Sequence, residues 1–139
     1  MMLHHISIRT ADIHRSISFY EKLGFEIEER FTTSYTLACW MLGELGRLEL
    51  IEIPNPKDAP DAFADEGYVG YYHISFDLSN KVDSLISWLT ELKQKTTFTI
   101  LLEPQQQIIG KNVYEVAFIS DPDGLPLEFL IFQAKNIYQ

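Results

Sequence analysis

Apolar and polar positions along this chain alternate, shift to a helical spacing, and alternate again, and the whole succession occurs twice. In the first half, residues 3–9 alternate with β-branched residues on one parity and predict a strand. Ile13, Ile17, Tyr20 and the pair Phe19/Leu23 then form a helical stripe, with Asp12 placed to cap its start and Gly24 to stop its end. Three more strands are predicted over 26–31, 35–42 and 47–53, with Gly43 and Gly46 in the last turn. The second half repeats the order. A strand over 71–78 precedes a helix over 81–95 that aligns Val82, Leu85, Ile86, Leu89 and Leu92, and strands follow over 97–102, 113–120 and 125–132. Between the halves, residues 54–70 hold Pro54, Pro56, Pro60, Gly67 and Gly70 and read as a linker long enough to serve as a functional loop. The predicted fold class is α+β: two βαβββ modules, 1–53 and 71–133, forming a curved mixed sheet within a single domain over 1–139.

The duplication extends to side-chain chemistry. His5-Ile6-Ser7-Ile8 in the first half matches His73-Ile74-Ser75-Phe76 in the second. Each histidine stands seven positions before a capping residue, Asp12 or Asn80, and eleven before a serine, Ser16 or Ser84. Each half closes on an apolar run holding one carboxylate, Leu48-Glu49-Leu50-Ile51 and Leu127-Glu128-Phe129-Leu130. Side chains alternate across a strand, so His5, Ser7 and Arg9 share the face opposite Ile6 and Ile8, and His73 and Ser75 share the face opposite Ile74 and Phe76. Glu49 and Glu128 alternate with core residues in the same way, which projects four ligand-type groups from the inner face of a curved sheet.

Imidazole nitrogens and carboxylate oxygens suit divalent zinc, nickel, cobalt, manganese or iron. Four such ligands on an octahedral ion leave two positions for substrate oxygens. An ion held there polarises a carbonyl and stabilises an enediolate, while a carboxylate of the shell doubles as general base. A single strand-end histidine or glutamate is ordinarily structural; the agreement of all four under one duplication favours the metal. His4 and Glu52 are set aside by strand parity and because neither has a counterpart in the other half, and His14 lies on a helix.

Composition narrows the picture further. A length of 139 residues, 46% hydrophobic and 22% charged, is that of one ordinary folded domain. A net charge of -9 argues against nucleic acid, whose phosphates draw on Lys/Arg clusters absent here. The single cysteine, Cys39, lies in an apolar segment and reads as a buried, inert thiol. The first residues lack a basic region followed by an apolar one, and no apolar run is long enough to span a bilayer, so a soluble cytoplasmic protein is expected.

Residues 3–9 leading to Asp12, the run 16–25, Tyr72-His73-Ile74-Ser75-Phe76, and 117–124 running into Leu127-Glu128 together resemble the vicinal oxygen chelate superfamily. That superfamily includes glyoxalase I, methylmalonyl-CoA epimerase, extradiol dioxygenases and the fosfomycin- and bleomycin-resistance proteins, and the resemblance covers nearly the whole chain. It implies the glyoxalase/bleomycin resistance/dioxygenase fold. Similarity to glyoxalase I implies His5, Glu49, His73 and Glu128 as ligands of one divalent ion, nickel or zinc first, with cobalt, manganese and iron also suited. Extradiol dioxygenases use two histidines and one glutamate, epimerases often carry an amide at the place of Glu49, and antibiotic-binding members frequently lose ligands.

The reaction so implied is isomerisation of the hemithioacetal of methylglyoxal and glutathione to S-lactoylglutathione. Glu128 shuttles the proton, Glu49 assists on the other face, and the Arg9 fork pairs with a glutathione carboxylate. Also implied are a small-molecule substrate, a glutathione adduct among the candidates, and a homodimer, with each site built within one chain or between two. One departure is that Ile53 stands where glutathione-specific members usually carry Asn. Another metal-dependent member (epimerase or dioxygenase) and a non-catalytic resistance-type binder using aromatics such as Phe63, Tyr68 and Trp40 therefore stay open. Asp121-Pro122-Asp123-Gly124 reads as a tight turn and lacks the spacing of a calcium loop.

Overall fold

The computed structural model describes residues 1–44 and 46–136, so Leu45 and the last three positions of the predicted domain lie outside it. The chain divides into two compact units, Met1–Ala59 and Pro60–Gln139, and the division falls inside the segment read as a linker. In the first unit β1 (Ile6–Thr10), α1 (Ile13–Lys22), β2 (Glu26–Thr33), β3 (Thr36–Gly43) and β4 (Gly46–Glu52) follow one another. β1 pairs parallel with β4, and β4, β3 and β2 continue antiparallel, giving the sheet order β1-β4-β3-β2. The second unit repeats this topology with β5 (Ile74–Asp77), α2 (Leu85–Lys95), β6 (Ile100–Ile109), β7 (Asn112–Ser120) and β8 (Pro126–Lys135). Its order is β5-β8-β7-β6, again with only the first pair parallel. Two βαβββ modules thus make two four-stranded mixed sheets. Among the described residues no helix is long and apolar enough to cross a membrane.

Each sheet buries one face against its helix. Ile8 and Thr10 of β1 are buried while Ser7 and Arg9 are exposed, as strand alternation demands. α1 sets Ile13, Ile17, Phe19 and Tyr20 into the core and contacts β2, β3 and β4, where Met41, Leu48 and Leu50 are fully enclosed. α2 does the same with Leu85, Leu89 and Leu92 against β7 and β8. Trp88 rests 4.5 Å from the Phe129 ring beside them.

Both helix starts are held by a carboxylate from their own sheet. In α1 the Asp12 side chain accepts from the Arg15 N–H at 3.1 Å, and Glu52 Oε1 accepts from the Ile13 N–H at 3.1 Å. In α2 the Ser84 hydroxyl accepts from the Ser87 N–H at 3.4 Å, and Glu115 Oε1 accepts from the Leu85 N–H at 2.7 Å. The free N–H groups of a helix N-terminus carry partial positive charge, so each carboxylate is matched in sign as well as in hydrogen bonding. Glu52 is therefore a helix-holding residue.

Four departures from the sequence reading stand out, and the first three have identifiable causes. α2 begins at Leu85 rather than 81, and its cap is Ser84, not Asn80. The Leu78 carbonyl takes the N–H groups of Lys81 and Val82, which closes a separate turn that holds Asn80 outside the helix. Starting there, the helix turns Ile86 outward, where it is 64% exposed instead of sharing the apolar stripe. β3 starts one residue after Tyr35 because Ser34 and Tyr35 both adopt positive φ, at 46° and 70°, the two-residue turn a twisted hairpin requires. β6 runs to Ile109 past Pro104, with register shifts between Ile100 and Gln105 where proline removes a ladder donor. β1 and β5 begin at Ile6 and Ile74, so His5 and His73 each stand just outside their strand.

Replacing Glu52 or Glu115 by alanine is expected to lower the urea midpoint by an amount equivalent to about 1 kcal/mol, because either change leaves a helix N-terminus uncompensated. A midpoint unchanged in both variants would show that these carboxylates do not hold the helices.

Candidate metal centre

In the first unit the candidate site is set by cross-strand register. Ser7 of β1 lies opposite Glu49 of β4, and Trp40 of β3 lies opposite the same glutamate from the other side. Directly opposed residues share a face, so the three side chains meet away from the helix. Ser7 Oγ donates to Glu49 Oε1 at 2.8 Å, and Trp40 Nε1 donates to Glu49 Oε2 at 2.8 Å. His5 places Nε2 at 3.5 Å from Glu49 Oε1. The indole is itself confined. The His4 and Phe31 rings meet it edge-on at 5.0 and 5.4 Å, and the Arg47 guanidinium, bound to Glu28 at 2.7 and 3.0 Å, lies 5.9 Å from its centroid. Partial burial pushes the Glu49 carboxyl up, but hydrogen bonds from Trp40 and Ser7 and the neighbouring His5 and His4 outweigh it and hold the group below its ordinary value.

The second unit builds the same constellation from the same register. Ser75 of β5 lies opposite Glu128 of β8 and donates from Oγ to Oε1 at 2.6 Å. His73 Nε2 stands 3.6 Å from that oxygen. Phe118 of β7 occupies the register position that Trp40 holds in the first unit. It offers no donor and packs edge-on against the His73 ring at 4.9 Å.

The residues preceding the two histidines also differ. His4 Nδ1 lies 2.8 Å from His5 Nδ1, so one ring donates to the other. With His5 donating, its Nε2 keeps a lone pair on the Glu49 side, the tautomer a metal ligand needs. In the second unit Tyr72 takes the place of His4 and meets the His73 ring at 4.3 Å. His73 Nδ1 is buried there with no hydrogen-bond partner among the described residues. Nε2, on the Glu128 side, is then the ring nitrogen left for a ligand.

A cavity of about 710 Å³ in the second unit is lined among others by Asp65, Glu66, Tyr68, Tyr71, Tyr72 and Pro126, and of these Tyr72 meets the His73 ring. Tyr71 is pushed up to about 12, by partial burial first and then by the Asp121 charge. Tyr72 is raised by partial burial and by the charges of Glu128 and Glu66. Both hydroxyls therefore stay protonated, as donors, across the neutral range.

The structure brings His5 to Glu49 and His73 to Glu128. Among the described residues it gathers no group of three or more His, Cys, Asp or Glu side chains. Each pair offers one imidazole nitrogen and one carboxylate, the donor set that zinc, nickel and neighbouring divalent ions accept. Arg9 is exposed on β1, and its guanidinium makes no ion pair among the described residues. Cys39 is buried, and burial raises its thiol, as an inert cysteine requires. Asp121 closes the turn before β8 by accepting from the N–H groups of Asp123 and Leu125, both at 2.9 Å. Sequence reasoning assigned no role to Ser7 and Ser75, nor to Trp40 as a donor, and it set His4 aside. The two serines were recoverable, since each stands two positions after a candidate histidine.

Comparison with known proteins places these observations. The Glyoxalase/Bleomycin resistance protein/Dioxygenase superfamily profile matches residues 2–129. No curated protein matches the sequence significantly. Among solved structures, a glyoxalase family protein from Enterococcus faecalis is 23% identical, with a TM-score of 0.72 over 93% of this chain and 96% of that one. A glyoxalase family protein from Bacillus cereus is 18% identical, with a TM-score of 0.71 over 95% of this chain and 94% of that one. A glyoxylase/bleomycin resistance protein/dioxygenase domain from Frankia is 21% identical, with a TM-score of 0.66 over 96% of this chain and 98% of that one. At these identities the likeness is one of fold.

The Glu49 environment predicts a pH dependence of stability. A carboxyl held below its ordinary value of 4.5 stabilises the fold while ionised, and that contribution is lost as pH falls through the lowered value. Glu49→Gln is thus less stable than the wild type at neutral pH, and the gap narrows on acidification. Urea midpoints from about pH 7 to about pH 3, in chelator, read this directly. A gap that stays constant over that range contradicts the assignment.

Proposed function

The chain belongs to the Glyoxalase/Bleomycin resistance protein/Dioxygenase superfamily, and we propose that within it the protein is a metal-dependent lyase of the glyoxalase I kind. The observation that carries this reading is the repeated His–Ser–Glu set, with Nε2 at 3.5 and 3.6 Å from a carboxylate oxygen in two units of one topology. His5, Glu49, His73 and Glu128 would hold one divalent ion, nickel or zinc first, with cobalt, manganese and iron as the other candidates. When bound, such an ion supplies Lewis-acid polarisation of two adjacent substrate oxygens.

The chain's own groups do the rest. Glu128 takes the proton from the sulfur-bearing carbon of the hemithioacetal of methylglyoxal and glutathione, and an enediolate results. It then returns that proton to the neighbouring carbon, while the hydroxyl proton passes between the two oxygens. Carbonyl and hydroxyl exchange places and S-lactoylglutathione forms. Glu49 faces the reacting carbons from the opposite side. Ser75 and Ser7 keep the two carboxylates oriented, which is where positioning contributes to rate. Arg9 receives a carboxylate of the thiol portion.

A second reading keeps the metal and the proton transfer but changes the substrate. The cavity that Tyr72 lines carries Asp65 and Glu66 and no Lys or Arg among its lining residues, which disfavours an anionic thiol conjugate there. Ile53 offers no amide to such a conjugate either. An uncharged substrate suits these features better. In this reading the two pairs would come together either within one chain or across a homodimer. Mixing His5→Ala with His73→Ala chains separates the two, because only shared sites regain an intact ligand set.

The deciding experiment is metal analysis of the purified protein followed by thioester absorbance from methylglyoxal and glutathione. Uptake of one divalent ion per ligand set and a rising thioester signal are expected, with Glu128→Gln slowing turnover by about 100-fold or more while circular dichroism stays unchanged. Metal without thioester favours the second reading, the same proton transfer on another substrate. Failure to take up any divalent ion favours a binder without chemistry.

A further inference from the structure

The two His–Ser–Glu sets share the register that opposes serine to glutamate, and their two glutamates differ at one hydrogen bond. Glu49 and Glu128 are equally sheltered, with side chains 14% and 13% exposed, so burial does not distinguish them. Each accepts from its serine through Oε1. Glu49 also accepts the Trp40 indole N–H through Oε2, which ties both of its oxygens. Glu128 Oε2 makes no hydrogen bond among the described residues, because the register position of Trp40 is filled by Phe118. A carboxylate held at both oxygens by donors from two neighbouring strands cannot swing without breaking one of them. A carboxylate held at one oxygen pivots about that contact.

We infer that Trp40 is a positioning residue that fixes Glu49 as a static ligand and thereby leaves Glu128 alone free to carry the proton. The assignment rests on the reading of Glu128 and Glu49 given above. It adds the reason why two glutamates in matched settings do different work. Trp40 suits the task because its own ring is confined: His4, Phe31 and Arg47 pack around it, and Arg47 is tied to Glu28. An indole N–H has only one direction to donate, and here that direction is the second oxygen of Glu49.

Two measurements on the full chain test this separately. In the metal-free protein, the Trp40 indole N–H resonance, identified by its loss in Trp40→Phe, is expected to shift in Glu49→Ala and to stay in place in Glu128→Ala. A resonance indifferent to Glu49→Ala overturns the inference whatever the protein catalyses. In the metal-loaded protein, Trp40→Phe combined with Glu128→Gln is expected to turn over the hemithioacetal at least about tenfold faster than Glu128→Gln alone, since Glu49 is released to act as base. General damage to the site only slows an enzyme, so a gain identifies the freed carboxylate. A wild type active on this substrate whose double variant is no faster than Glu128→Gln also overturns the inference. A wild type inactive on it defeats the lyase reading, and Trp40 is then judged on the indole resonance.

Discussion

The parallel pairing of the first strand of each unit with its last is the constraint on which the candidate site depends. It sets Ser7 opposite Glu49 and Ser75 opposite Glu128 in the same register. A parallel pair cannot be closed by a tight hairpin. The chain must travel through α1 or α2 and two further strands before its last strand lies beside its first. Residues 42 and 53 positions apart in sequence meet as a result. If either parallel register slipped by one residue, the glutamate would turn into the helix-facing core and a leucine or phenylalanine would take its place. The apolar face resists that slip, since Leu50 and Leu127 are completely enclosed and would have to enter water. The site is therefore held in place by the core on the far side of the sheet.

A duplicated backbone gives two equivalent positions, and side-chain substitution at fixed register makes them unequal. His4 and Tyr72 precede the two histidines, and Trp40 and Phe118 oppose the two glutamates. In the first unit both residues present nitrogen, so His5 and Glu49 each gain a polar partner. In the second both bring ring surface, so His73 is walled in by Tyr72 and Phe118 while Glu128 keeps an unbound oxygen. Divergence of this sort costs the fold little, because each exchange lies on the face that the helix does not cover.

Much of this was legible in the sequence, and the failures have physical causes. Strand alternation placed Ile8, Leu50, Phe76 and Phe129 inside and Ser7 and Glu49 on the other face, and the order of elements in both modules followed from hydrophobic period alone. Period reports which face a residue occupies within an element. It says nothing of residues just outside one, and His4 and His5 both precede β1, so parity gave no ground for setting His4 aside. The early start given to α2 fails similarly, because Asn80 and Ser84 are both competent caps and the choice was made by a glutamate 30 residues away that binds the Leu85 N–H. The Trp40–Glu49 bond was hidden for another reason. Tryptophan in an apolar strand reads as core filling, and only the β3–β4 register shows that its polar edge meets a carboxylate.

Electrostatics bears on the question of substrate. The chain carries a net charge of -9, and two of its carboxylates, Asp65 and Glu66, line the cavity that Tyr72 also borders. At physiological ionic strength charges are screened over roughly 8 Å, so distant carboxylates weaken quickly but those lining a cavity do not. An anionic conjugate entering it meets like charge and two tyrosine hydroxyls that donate hydrogen bonds without supplying positive charge. Arg9 is the cation on the site-bearing face of β1 that is uncommitted among the described residues, since Arg47 on the neighbouring strand is already paired with Glu28. Recognition of a glutathione adduct would thus concentrate on one exposed guanidinium in the first unit. An uncharged diketone-derived or acyl substrate needs no such partner, and for it the acidic lining would act as a filter that keeps anions out while the proton-transfer chemistry stays the same.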